Sequence, residues 1–102
     1  MGIEPGAMMY AREQEFAVYQ RCADVAAGRA GAARDAHEAN VLRVASMLFS
    51  ASHPQQAKRL AAVSGAYFAM HPTEVLTTSQ VVERGLIPGL QQMQDRLAPL
   101  LV

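Results

Sequence analysis

Apolar residues recur every three or four positions along most of the chain, the spacing that places them on one face of an α-helix. The pattern predicts a first helix from Ala7 to about Ala27 and a second from about Ala33 to Phe49. Gly28 and Gly31 separate the two, and glycine commonly follows the end of a helix. Residues 1–6 precede the pattern and are expected to form a loose tail.

The dipeptide His-Pro occurs twice, at residues 53–54 and 71–72. Proline suits the first position of a helix, where its missing N–H is no loss, and it cannot continue a helix that precedes it. The two dipeptides therefore predict the boundaries of a third helix, with Ser52 or His53 as its cap. We interpret the two dipeptides as signals that start and end a helix rather than as a site built from two histidines.

The third helix carries two apolar faces. One of them includes Leu60, Tyr67 and Phe68. The other is made only of small residues: Ala62, Gly65, Ala66 and Ala69. Because small residues let a neighbouring helix approach closely, we expect the third helix to be the central one, with neighbours on two sides.

Residues 73–84 fit either a helix or irregular structure. Thr77 and Gln80 have the spacing of a capping box, which predicts a short helix that ends at Gly85. The run 75–78 has mild strand character, but nothing nearby has the pattern of a pairing partner.

The last apolar repeat has the four-three spacing of a coiled-coil seam. Its members are Leu86, Leu90, Met93, Leu97 and Leu100. Pro88 is expected to start this helix and Pro99 to end it. The seam has two explanations: it packs inside the chain's own bundle, or it packs against another chain.

These elements predict an all-α fold, a compact bundle of four to five helices that forms one domain over residues 1–102. The alanine-rich composition agrees, because alanine favours helix over strand. Nine basic and nine acidic residues cancel to a net charge of zero. A balanced chain lacks the positive field that attracts nucleic acid or anionic membranes, and a low net charge favours self-association.

The chain has a single cysteine, Cys22, which cannot form an internal disulfide and is typical of a reduced, cytoplasmic protein. No run of eighteen apolar residues is present to span a membrane. Cys22 follows Arg21, and a cation can lower a thiol pKa, but Cys22 shares the apolar face of the first helix and has no neighbouring base. The sequence therefore predicts that the protein is not an enzyme.

The three histidines are the candidate metal ligands. His37 falls on the apolar face of the second helix, but no second ligand lies three or four residues away and the surrounding sequence is not His-Glu-x-x-His. His53 and His71 lie about 25 Å apart at the rise of an α-helix, so they cannot share an ion within one chain. We predict no metal and no cofactor, and the sequence leaves ligation between two chains open.

One alternative is a bundle that binds a small ligand or haem. Tyr19, Tyr67, Phe68 and the six methionines could line such a pocket. A stripe of this kind is more typical of a core, and the chain contains no Cys-x-x-Cys-His.

A second alternative is DNA binding. The stretch TSQVVERGLIPGLQQMQDRL, residues 78–97 and about a fifth of the chain, resembles a helix-turn-helix motif, which with one flanking residue on each side spans residues 77–98. The resemblance implies a recognition helix that opens at Pro88, with possible DNA contacts from Gln91, Gln92 and Arg96. Glutamine can read adenine, but phosphate contacts need lysine or arginine, and this helix offers one basic residue.

The function that the sequence favours is that of a non-enzymatic interaction or adaptor protein, which self-associates as a homodimer or binds a partner's helix. Two surfaces are the candidates for the partner interface. They are the seam of Leu86, Leu90, Met93 and Leu97, and the small-residue face of Ala62, Gly65, Ala66 and Ala69.

Overall fold

A computed structural model describes residues 17–101, and over these residues the chain is a bundle of α-helices without a strand. Five helices follow one another, with a 3₁₀ turn after the third and another after the fifth. In chain order, the helices and turns are α1 (residues 17–26), α2 (Ala36–Phe49), α3 (Pro54–Met70), the turn Pro72–Glu74, α4 (Thr78–Glu83), α5 (Leu90–Leu97) and the turn Ala98–Leu101. The predicted all-α bundle is confirmed. The tail of residues 1–6 and the start predicted for the first helix lie outside the described residues.

The central helix is α2, and the prediction that α3 would take this place is wrong. Eight residues of α2 are buried: Ala39, Asn40, Val41, Leu42, Val44, Ala45, Ser46 and Phe49. Only Ala57, Leu60 and Ser64 are buried in α3. The reason is the size of the side chains, because the large apolar side chains of α2 bury far more area than a face of alanine and glycine. α2 contacts α3, α4 and α5.

The ends of α2 and α3 follow local capping rules. α2 begins at Ala36, three residues later than predicted, because the Asp35 side chain accepts a hydrogen bond of 2.9 Å from the Glu38 N–H. α3 begins at Pro54 and ends before Pro72, as predicted. His53 holds the cap position of α3 but makes no capping hydrogen bond with its side chain.

The chain between α3 and α5 also keeps most of its predicted features. Thr77 and Gln80 form the capping box of α4, and Gly85 follows the helix with a φ of 71°, the left-handed conformation that favours glycine. α5 begins at Leu90 rather than at Pro88, because the extended Gly89 is its N-cap. Residues 75–77 are neither helix nor strand.

The segment before α4 is attached to α2 by one buried amide. The Asn40 side chain is 1% exposed, and its Nδ2 donates to the Glu74 carbonyl at 3.0 Å. Its Oδ1 accepts from the Leu76 N–H at 2.8 Å. Arg43, three residues further along α2, donates to the Leu76 carbonyl. These bonds determine where the chain turns back towards the core after α3.

We predict that Asn40→Leu lowers the free energy of unfolding by about 1–3 kcal/mol, because it leaves backbone groups of Glu74 and Leu76 without their partner. Chemical denaturation measures this change. Ser64→Ala is the matched control, since Ser64 is also buried but donates only within its own helix, to Ala61. Equal effects of the two substitutions would contradict the role given to Asn40.

Tyr19 gives a contrasting prediction. Its hydroxyl is buried and has no hydrogen-bond partner within the described residues, whereas the Tyr67 hydroxyl donates to Glu74. Tyr19→Phe should therefore leave the free energy of unfolding unchanged or raise it, by up to about 1–3 kcal/mol, because it removes an unsatisfied polar group. Thermal and chemical denaturation test this expectation, with Tyr67→Phe as the control that loses a hydrogen bond. A clear destabilisation by Tyr19→Phe would mean that the hydroxyl has a partner.

Candidate interaction surface

The structure separates the two surfaces that the sequence proposed for a partner. Met93 and Leu97, at the centre of the seam, are fully buried in the core of their own chain. Leu86 is partly buried, and Leu90 is 39% exposed. Of the two explanations of the seam, packing inside the chain's own bundle therefore describes Met93 and Leu97. Neither side chain is accessible to a partner in this fold.

The small-residue face of α3 has the opposite environment. Ala62, Gly65, Ala66 and Ala69 are all exposed, and so is Ala61 beside them. These five residues, hereafter the outer face of α3, lie one or three positions apart and so share one side of the helix. They extend over about 12 Å of its length. The other side of α3 packs against α2.

Gly65 is the feature of the outer face that packing among the described residues does not explain. It lies inside a regular helix of 17 residues, and a Cβ added there would meet no atom of residues 17–101 within 4 Å. Glycine inside a helix costs about 0.5–1 kcal/mol relative to alanine. Packing among the described residues therefore gives no reason for the missing side chain at this position.

Two exposed methionines stand near the outer face. Met47 of α2 is 57% exposed and Met70, the last residue of α3, is 78% exposed. Met47 also borders an open groove of about 430 Å³ between α2 and α3, which Ala61 of the outer face lines as well. Methionine adapts to irregular apolar partners, so these side chains extend the apolar surface. The sequence pattern did not single out Met47, because an exposed apolar residue on a mostly buried helix has no signature of its own.

The charges of α3 lie at one end of the helix. Residues 54–70 contain no acidic residue, and their two cations, Lys58 and Arg59, lie in the first half. Arg59 donates to the Ala26 carbonyl of α1 at 2.7 Å, so it holds two helices of the same chain together. Lys58 is exposed and lies four residues before Ala62, on the same side as the outer face.

A second concave region lies between α1 and α2, with a volume of about 220 Å³. Arg21 lines this region. Its Nε is 2.9 Å from Glu38 Oε1, and its Nη2 donates to the Gly31 and Ala32 carbonyls at 3.1 and 3.0 Å. This guanidinium ties the connection between α1 and α2 to both helices. Its hydrogen bonds give it a structural role in the fold.

Cys22 also borders this region, but its chemistry is that of a buried hydrophobe. The side chain is 1% exposed, and burial raises the pKa of the thiol to about 12. The thiolate is the reactive form of cysteine, so this thiol is inert near neutral pH. Arg21 opposes the shift only in part.

The histidines are not gathered in one place. His37 is exposed, contrary to the prediction that it belongs to the apolar face of α2, which begins at Ala39. His71 stacks on Tyr67 with ring centroids 4.6 Å apart, and His53 packs edge-on against Phe49 at 5.6 Å. In the part of the chain that the structure describes, no group of three or more histidine, cysteine, aspartate or glutamate residues is placed to hold a metal ion.

The aromatic residues of the haem alternative occupy different environments. Tyr19 is buried in the core, whereas Tyr67 and Phe68 are partly exposed near the end of α3 and contact each other edge-to-face at 5.6 Å. The hydrogen bond to Glu74 raises the pKa of Tyr67.

The connection between α4 and α5 differs from the turn of a helix-turn-helix motif. Six residues, 84–89, separate α4 from α5, whereas the DNA-binding motif joins its helices by a turn of about three or four residues. Gln91, Gln92 and Arg96 are exposed on α5, and the Gln91 amide donates to Asp95 at 2.9 Å.

No family model matches the chain, and no match was found among curated proteins or among solved structures. Within residues 17–101, none of the helices combines the length and the apolar composition needed to cross a membrane.

The buried thiol predicts a loss of stability at high pH. The folded pKa of Cys22 is raised from 9.0 to about 12, so above pH 9 the unfolded chain releases a proton that the folded chain retains. The contribution of Cys22 to the free energy of unfolding is therefore fully present below pH 9, and it declines as the pH rises towards 12. The raised pKa of Tyr19, from 10.0 to about 12, acts in the same direction.

Denaturation of the parent chain and of Cys22→Ala between pH 8 and pH 11 measures this contribution, and we expect a shallower decline for the variant. The Tyr67→Phe variant, which keeps the buried thiol, should retain the parent slope up to pH 10. A decline of the same slope in Cys22→Ala would contradict the assignment to the thiol.

Proposed function

We propose that this protein is a non-enzymatic interaction protein that binds another helix through the outer face of α3. The observation that carries the proposal is Gly65: it costs helix stability and no contact among the described residues requires it, so a close approach of another helix to α3 would explain it. Exposed alanines on both sides of Gly65 allow the same approach. The seam is not part of the proposed interface, because Met93 and Leu97 belong to the core.

We take a second copy of the chain as the partner. The net charge of zero removes the general repulsion between copies. A two-fold dimer presents the same surface from both chains, so each outer face would pack on the other. Two faces without large side chains can bring their helix axes close together, and this increases the contacts that each exposed alanine makes.

The position of Lys58 favours an antiparallel arrangement of the two α3 helices. In a parallel pair the two Lys58 ammonium groups would lie side by side and repel. In an antiparallel pair each would lie towards the C-terminal end of the partner helix, which carries a partial negative charge. That end of α3 has no basic residue in its last turn. The charge pattern of α3 is therefore self-complementary only when the helices run in opposite directions.

The proposal includes a cytoplasmic location, supported by the use of a single cysteine, which remains a free thiol. It also includes the absence of catalysis, supported by the inert thiol of Cys22 and by the structural role of Arg21.

The first test is the mass of the chain in solution by light scattering at micromolar concentration. We expect twice the 11.0 kDa of one chain. A monomer over the accessible concentration range would overturn the choice of a second copy as partner. An absorbance scan of the same sample tests the haem alternative, since a visible chromophore would contradict the interaction proposal.

The decisive variant is Gly65→Glu. No atom of the described residues lies near the site, so the fold should persist, and the melting temperature of the monomer, measured at a concentration too low for dimers, should stay unchanged or rise because glutamate is the better helix former. The dimer, in contrast, should weaken at least tenfold, because the new side chain prevents close approach and brings two like charges to the interface. Gly31→Glu is the matched control, since Gly31 is also exposed, with no described atom within 4 Å of an added Cβ, but lies outside α3. A dimer equally stable in both variants would exclude the outer face of α3.

A DNA-binding assay distinguishes the interaction proposal from the DNA-binding alternative. If the interaction proposal is right, no duplex should bind more tightly than non-specific levels, about 10⁻⁴–10⁻⁶ M at physiological salt. Fluorescence anisotropy with labelled duplexes, repeated with Arg96→Ala, measures this. Nanomolar binding that depends on salt and is weakened by Arg96→Ala would establish the DNA-binding alternative instead.

A further inference from the structure

We draw no further inference here: the strongest candidate, the open groove between the start of α2, the turn after α3 and the connection from α4 to α5, which His37, Thr73 and Arg84 line, carries nothing because its one buried polar side chain, Asn40, already has its partners and nothing in the structure shows what covers it.

Discussion

Asn40 lies in the first half of α2 with its side chain closed off from water, and both ends of its amide serve the backbone of another segment. A buried amide without partners would cost more free energy than most single contacts provide, so the amide and the segment are stable only together. The segment is the short connection between α3 and α4. Once Leu76 is held against α2, the capping box at Thr77 begins α4 at a defined place, and α5 returns to the core with Met93 and Leu97 facing inward.

The same arrangement explains why one helix is central and another is half exposed. α2 receives α3 on one side and the returning chain on another, so its large apolar side chains are covered from several directions. Within residues 17–101, α3 receives neighbours on one side only. Its outer face therefore stays in solvent, and no helix in the described part of the chain uses the close approach that alanine and glycine allow. This asymmetry gives the protein an exposed apolar helix face, with Met47 and Met70 nearby.

Three of the nine cations of the chain connect separate parts of the fold. Arg21, Arg43 and Arg59 each donate to a backbone carbonyl in another part of the chain, and Arg21 also pairs with Glu38. Charge-assisted hydrogen bonds of this kind close connections between helices that otherwise leave carbonyls without partners. Guanidinium groups held in this way are less available to phosphates or acidic ligands. This agrees with the balanced charge and with the proposal of helix-to-helix recognition.

Local features of the chain could be predicted from sequence alone because neighbouring residues determine them. Pro54 and Pro72 limit α3 whatever surrounds it, Thr77 and Gln80 form their capping box within four residues, and apolar spacing is sufficient to predict an all-α fold. The sequence also shows the two apolar faces of α3, but it does not show which of the two is covered by other helices. Which face is covered depends on how far each helix extends and on where the chain turns back. Long-range contacts decide both, such as the hydrogen bond between Asn40 and Leu76, which lie 36 positions apart. Tertiary packing alone therefore placed Met93 and Leu97 in the core and left Gly65 in solvent, because burial is a property of the assembled bundle.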